Sequence, residues 1–166
     1  MKKLTKWLAA ALAVLMLAAT LTACGGGGGS SAEIEGPGVS NATTQALEDA
    51  WLAKYNSQFN SELDNTLQKQ AEDLLRNALA HMDPETKKLD EYYIYGVIEV
   101  NESRKKIYVL LDYDGSDQDN IVYVGAYTKE QMMSEIQKRG FGRCEEIGFA
   151  VLEYEGLYYW AWASIS

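Results

Sequence analysis

The sequence predicts an α+β fold, in which N-terminal helices pack on an antiparallel sheet of about five strands with one short inserted helix. Between positions 43 and 82, apolar residues recur at spacings of three and four, which indicates amphipathic helix. From 92 to 165 the chain instead carries short runs of β-branched and aromatic residues separated by polar turns, which is typical of strands. Because helices and strands occupy separate parts of the chain, this pattern favours α+β over a wound α/β fold.

The helical stretch is predicted to form two helices, at about 43–58 and 61–82. A strict four-residue repeat drifts by about 40° per step around a helix of 3.6 residues per turn, so a single helix would carry its apolar stripe off one face. The polar residues at 56–61 provide a break, and Ser61 is a candidate N-cap. The second helix is expected to stop at Asp83, because the residue before a proline is pushed out of the helical region.

Three successive strands are predicted at 92–100, 107–111 and 121–127. The connections between them are short and polar, which favours an antiparallel meander.

The short helix and a final hairpin follow the meander. A capping box at 128–131 opens the helix, and Gly140 ends it. The last two strands, 147–153 and 157–165, are joined across Tyr-Glu-Gly at 154–156.

The first 23 residues have the features of a secretory signal peptide. Three lysines precede the apolar run 7–21, and the sequence Leu-Thr-Ala is followed directly by Cys24. The run is shorter than the ~20 residues that a membrane-spanning helix needs, and glycines rather than charges follow it, so an uncleaved anchor is disfavoured. The motif resembles the lipobox of bacterial lipoproteins, in which the cysteine is joined to diacylglycerol, the peptide is cut before it, and the new amino terminus is usually acylated.

This resemblance implies three segments: a lipoprotein signal peptide at 1–23, a tether at 24–41 and one globular domain at 42–166. The mature chain would begin at Cys24 and be held by its lipid at the extracytoplasmic face of a bacterial cell membrane. Two or three acyl chains make such an attachment stable, whereas one holds it only marginally. The tether is rich in glycine and serine, and as a flexible chain it would reach roughly 20–25 Å.

The charge and cysteine content limit the possible partners. After loss of the signal peptide, 15 − 3 = 12 basic residues face 24 acidic ones, which gives a net charge of −12. Such acidity favours solubility and disfavours nucleic acid as a partner. With Cys24 acylated, Cys144 is the one remaining thiol, so the fold cannot depend on an internal disulfide.

The acidic loop 112–120 is a candidate calcium site because its four aspartates supply oxygen ligands. Counted from Asp112, however, glycine falls at position 4 rather than 6 of an EF-hand, and position 12 is Tyr123 rather than glutamate. An Asp-Gly pair between apolar runs is also a hairpin signal. We therefore interpret the loop as an acidic, solvated turn and predict no metal site.

Neither His81 nor Cys144 forms a catalytic pattern. His81, the only histidine, falls at a helix end, where an imidazole interacts favourably with the negative pole of the helix dipole. Cys144 follows Arg143, whose charge favours a reactive thiolate, but Glu145 and Glu146 oppose that effect. We interpret the histidine as a helix cap and the cysteine as a buried, inert thiol, and predict no catalytic residue and no cofactor.

An aromatic row on the last strand is the candidate ligand-binding feature. Tyr158, Trp160 and Trp162 alternate onto one face, where they could stack on sugar rings or grip a peptide. Tryptophan and tyrosine also fill cores, and helices packed on this face would cover the row. We favour the core interpretation, which leaves the opposite, smaller face as the candidate solvent side.

The segment 146–160 resembles the closing hairpin of CAP/SCP-like secreted domains, which pair an Ile-Gly-Val-Ala-Val-like strand with a Gly-x-Tyr-Tyr-Trp strand after a short helix. That family lines a cavity with two histidines and two acids. Here Gly-Phe-Gly-Arg at 140–143 stands where the second histidine would fall. The resemblance therefore implies a domain that has lost this chemistry, and no site residue is carried over.

Two functions are consistent with this sequence. The first is a non-enzymatic binding or accessory domain that is lipid-anchored at Cys24 and meets a protein, peptide or glycan near the membrane. The second is a degenerate CAP-like or hydrolytic enzyme of the cell envelope that uses His81 with Glu99 or another acid. The second function requires a carboxylate within hydrogen-bonding reach of the histidine inside a cleft. A folded spacer without a small ligand is a third possibility.

Overall fold

Three α-helices and two antiparallel sheets form the fold in the computed structural model, which describes residues 36–60, 63–100, 105–116 and 119–165. The predicted α+β class is confirmed. The helices are α1 (Ala42–Asn56), α2 (Asn65–His81) and α3 (Lys129–Lys138). The strands are β1 (Lys88–Asp90), β2 (Tyr95–Val100), β3 (Lys105–Leu111), β4 (Tyr113–Ser116), β5 (Ile121–Val124), β6 (Glu146–Tyr154) and β7 (Leu157–Ile165), and a 3₁₀ turn spans Glu91–Ile94.

Each helix begins at a side chain that accepts an otherwise unpaired backbone N–H. The Asn41 side chain accepts from the first turn of α1, and that of Thr128 from α3, both as capping boxes. The break between α1 and α2 falls in the predicted region, but the N-cap of α2 is Asp64. The predicted cap, Ser61, lies outside the described residues.

The strands divide between two sheets, so the predicted meander is wrong at its third strand. The larger sheet has the order β2-β3-β7-β6 and the smaller one the order β1-β5-β4. A strand has two edges, and β7 occupies the edge of β3 that β2 leaves open, with Leu111 opposite Ala161. The chain therefore leaves the larger sheet at Asp112, and β5 pairs with β1 and β4 instead.

Helices cover both faces of the larger sheet. Helices α1 and α3 lie over the face that carries Phe149 and Trp160, and α2 lies over the face that carries Ala150 and Ala161. The smaller face is therefore buried under α2 rather than exposed to solvent. It is small because α2 packs close to the sheet, and a Cβ added at Gly148 would lie 2.2 Å from the backbone nitrogen of Gln68.

The outer edge of β6 is paired with residues from the N-terminal part of the chain. Val39 exchanges two backbone hydrogen bonds with Glu153, of 2.8 and 3.0 Å, and a carboxylate oxygen of Glu48 accepts the N–H of Val151 at 2.8 Å. Residues 36–41, which the sequence places in the tether, thus lie against the domain. Pairing of this edge also removes a template for association with other chains.

The hairpin β6–β7 is confirmed at the predicted position. Glu155 and Gly156 form its two-residue turn with φ of 51° and 76°. Positive φ at both positions is the property of the type I′ turn that matches the twist of the flanking strands. The kinship of this segment with CAP/SCP-like domains stays a prediction.

Candidate functional site

A cleft of about 560 Å³ opens between the end of β3, the segment that follows α3, and the start of β6. Its walls include two cationic side chains, Arg139 and Arg143, and two aromatic ones, Phe141 and Trp162. We call it the arginine cleft. Its volume falls within the range of about 300–1,000 Å³ that is usual for small-molecule sites.

The predicted aromatic row does not form one continuous surface. Trp160 is fully buried and stacks on Trp51 of α1 with 3.7 Å between ring centroids. Trp160 therefore belongs to the core and is not available to a ligand. Tyr158 is half-buried and its backbone pairs with Tyr127, whereas Trp162 is half-buried and lines the arginine cleft.

Asp112, at the end of β3, is buried in a network that sequence reasoning missed. One carboxylate oxygen accepts hydrogen bonds from the Tyr127 hydroxyl at 2.6 Å and from Trp160 Nε1 at 2.9 Å. The other oxygen pairs with the guanidinium of Arg139. Burial and this hydrogen bond raise the pKa of the Tyr127 hydroxyl, so the tyrosine acts as a donor throughout the physiological pH range.

The interpretation of residues 112–120 as a solvated turn is therefore wrong at its first residue, Asp112. Asp112 is 5% exposed and fully engaged, whereas Asp114 is exposed on β4. The Asp-Gly pair lies within β4 and not at the hairpin turn, which falls between 116 and 121. Among the residues that the structure describes, no group of three or more His, Cys, Asp or Glu is placed to hold a metal, and Asp117 lies outside them.

The Asp112 carboxylate also positions one wall of the cleft. It holds the guanidinium of Arg139 over the rings of Trp160 and Trp162, at 5.0 and 5.8 Å from their centroids. Glu135, one turn earlier on α3, approaches the same guanidinium at 3.3 Å. A planar cation stacked on aromatic rings and held by two carboxylates has little freedom to turn.

Arg143 and Cys144 also line the cleft. The Arg143 side chain is exposed, and within the described ranges no residue hydrogen-bonds or pairs with it. Cys144 is a half-buried thiol on the cleft wall, with Sγ 3.6 Å from the carbonyl oxygen of Gly142. The expectation of a buried thiol is thus wrong. The segment after α3 forms a wall of the cleft, so Cys144 is partly exposed there instead of being enclosed in the core.

His81 is not among the residues that line the arginine cleft. It is the last residue of α2, as predicted, and its exposed ring places Nδ1 2.8 Å from the carbonyl oxygen of Asn77. The ring stacks on Tyr93 with 4.4 Å between centroids. No carboxylate lies within hydrogen-bonding reach of His81 in the described part of the chain, and the side chain of Glu99 lies outside it. The carboxylate partner that the hydrolytic function requires is therefore not found within the described part of the chain, and that function stays a prediction.

A second engaged acid, Glu48, is half-buried between α1 and β6. Glu48 accepts hydrogen bonds from Val151 N–H and from the side-chain amide of Gln68, and burial raises its pKa from 4.5 to about 7. Between pH 4.5 and 7, the Glu48 carboxyl is therefore protonated in the folded state and ionised in the unfolded chain. The free energy of unfolding is therefore expected to fall as pH rises from 4.5 to 7.

Replacing Glu48 with glutamine is expected to remove that part of the pH dependence. The amide keeps an acceptor for Val151 and carries no charge, so the variant should gain about 1–2 kcal/mol at pH 8, after allowance for partial exposure, and nothing at pH 4. Urea denaturation of the full chain across this range measures the change. The matched control is Asp49→Asn, at the exposed neighbouring position on α1. Equal effects of the two variants at pH 8 would contradict the assignment.

Sequence reasoning missed Asp112, Arg139 and Phe141 as members of the site. Asp112 directly follows an apolar strand and Arg139 directly follows a helix, but nothing in the sequence links two residues 27 positions apart. A polar residue at the end of an apolar strand was the one available signal.

Comparison with models of known protein families, with curated proteins and with solved structures finds no match. In the part of the chain that the structure describes, no helix has the length and apolar character needed to cross a bilayer. The apolar run 7–21 and Cys24 lie outside that part.

Proposed function

We propose that this protein is a bacterial lipoprotein, held by lipid on Cys24 at the extracytoplasmic face of the membrane, whose α+β domain binds a ligand without catalysing a reaction. The observation that carries the proposal is the placement of Cys24 directly after Leu-Thr-Ala, at the end of an apolar run that lysines precede. Such a residue order combines a signal for export with an acceptor for lipid.

The start of the domain limits how far it lies from the bilayer. The backbone pairing of Val39 with Glu153 fixes the chain to the domain no more than 39 − 24 = 15 residues after Cys24. A fully extended chain of this length spans about 50 Å, which sets the largest possible separation. A partner of this domain is therefore found near the membrane surface.

The arginine cleft supports binding rather than catalysis. Its buried carboxylate, Asp112, is already engaged by three side chains, and His81 lies at a solvated helix end. General acid–base catalysis needs a titratable group within reach of a substrate proton. Of the predicted aromatic row, the half-buried Trp162 is the member that lines the arginine cleft, where a protein segment, a peptide, a glycan or a smaller molecule can contact it.

Metabolic labelling with palmitate tests the anchor. Wild-type chain should incorporate the label and lose residues 1–23, as read by the mass of its N-terminal peptide, whereas Cys24→Ser should do neither. Cys144→Ser is the matched control, because it removes the other cysteine and should label as the wild type does. Label in Cys24→Ser, or a wild-type chain without label, would overturn the proposal.

A further inference from the structure

We infer that the arginine cleft binds a small organic carboxylate that carries a flat apolar group. This inference rests on the proposed binding function and names the ligand class. Three features of the cleft support it: an arginine without a partner among the described residues, an aromatic corner, and a volume suited to a small molecule.

The exposed arginine of the cleft favours a ligand with a single negative charge. Of its two arginines, Arg139 is paired with Asp112, whereas the exposed Arg143 has no partner among the described residues. Among the side chains that line the cleft, Arg143 is thus the cation whose donors are left for a ligand, whereas Arg139 is held by Asp112 and Glu135. A guanidinium presents parallel N–H donors that match the two oxygens of a carboxylate, and such charge-assisted pairs are among the stronger hydrogen bonds.

The apolar part of the ligand is defined by the aromatic side chains. Phe141 and Trp162 meet edge to face, with 6.4 Å between centroids and 81° between planes. Both line the cleft, and Trp162 is held on its other side by contact with Trp160 at 5.0 Å and by the guanidinium of Arg139. Because this corner is packed from behind, it presents a fixed wall against which a flat group can lie.

Neutral sugars and cations fit these features less well. A neutral sugar would use the aromatic wall but leave Arg143 without a partner, and a cation would meet two arginines. The cleft volume of about 560 Å³ holds a compact ligand rather than a folded segment. A monovalent carboxylate on a ring system satisfies both the charge and the wall.

Calorimetric titration with 2-naphthoate tests the inference, with the neutral 2-naphthamide as the matched ligand. The full acylated chain is used in lipid nanodiscs, and empty nanodiscs provide the blank. We expect naphthoate to bind with a submillimolar Kd, and naphthamide to bind about tenfold more weakly because it lacks the charge that pairs with Arg143.

Variants of the exposed arginine separate charge from shape. Arg143→Gln should weaken naphthoate binding about tenfold. Arg143→Lys should lose less affinity, because lysine keeps the positive charge but lacks the parallel N–H donors of the guanidinium. Lys129→Gln, which removes an exposed charge at the start of α3, should bind as the wild type does. Thermal unfolding of each variant confirms that the fold is intact.

The rate of alkylation of Cys144 by N-ethylmaleimide is an independent readout of the cleft. Naphthoate at its wild-type Kd should slow the reaction in the wild type and slow it much less in Arg143→Gln, since Cys144 lines the same cleft.

Equal affinities for naphthoate and naphthamide, an Arg143→Gln variant that binds normally, or no binding up to about 10 mM would overturn the ligand class. Normal palmitate labelling with no naphthoate binding would reject this inference while keeping the anchor. Absence of palmitate labelling, together with naphthoate binding by the unlabelled full chain in solution, would reject the anchor alone.

Discussion

Replacing Asp112 with alanine is expected to lower the free energy of unfolding by about 3–5 kcal/mol, the largest effect of any single polar substitution proposed for this chain. The carboxylate is buried and joins the guanidinium of Arg139, the hydroxyl of Tyr127 and the indole N–H of Trp160. Its removal leaves a partly buried cation without its main partner and two donors unpaired, each of which carries a desolvation cost. Urea denaturation followed by tryptophan fluorescence measures the loss.

The matched control is Asp114→Ala, two residues further along. Asp114 is exposed on β4, so its removal should change stability by less than about 0.5 kcal/mol. Comparable losses in the two variants would show that Asp112 stabilises the fold through general loop charge and not through the buried network. The folded Asp112→Ala variant should also have a lower affinity for 2-naphthoate than the wild type, because Arg139 is no longer held over Trp162. This loss should persist under conditions in which the variant is fully folded.

Replacing Gly148 with alanine is expected to destabilise the domain by about 3 kcal/mol, although it adds one methyl group. The added Cβ would lie 2.5 Å from the carbonyl carbon of Leu67 and 2.8 Å from the Cα of Gln68. These are backbone atoms of α2, so no side-chain rotation relieves the contact. The helix must move away from β6, which loosens the packing of Ala150 and Leu152 beneath it.

Gly140→Ala is the matched control for this substitution. No atom lies within 4 Å of a Cβ built at Gly140, and the position does not require positive φ. Its stability should therefore equal that of the wild type or exceed it slightly, because alanine reduces the freedom of the unfolded chain. A Gly148→Ala variant as stable as this control would mean that α2 does not pack as closely on β6 as the structure shows.

Local patterns predicted most elements of the fold but not their pairing. The capping box at 128–131 and the turn at 155–156 depend on residues within a few positions of one another, and both were found where the sequence predicts them. The meander was wrong because the partner of β3 is β7, some fifty residues later in the chain. The choice between β5 and β7 is made by burial across the whole sheet, which no local pattern encodes.

The site was predicted only in part for the same reason. Trp162 was identified because alternation along one strand places it on a face with Trp160. Core packing, which the sequence favours for this row, is confirmed for Trp160 under α1, but alternation cannot tell that Trp162 beside it stays half-exposed. Arg139 and Asp112 were missed, because a buried ion pair is recognised only once the two elements that carry it are brought together.

The sequence alone determined the α+β class, the positions of the helices and of the closing hairpin, and the motif at Cys24, because each depends on the order of neighbouring residues. The tertiary structure decided which residues face one another: α2 on the small face of the sheet, Asp112 beneath Trp160, and Arg143 on the rim of a cleft. These contacts join positions far apart in the chain. They are fixed only when the apolar surfaces of all the elements pack together and leave water.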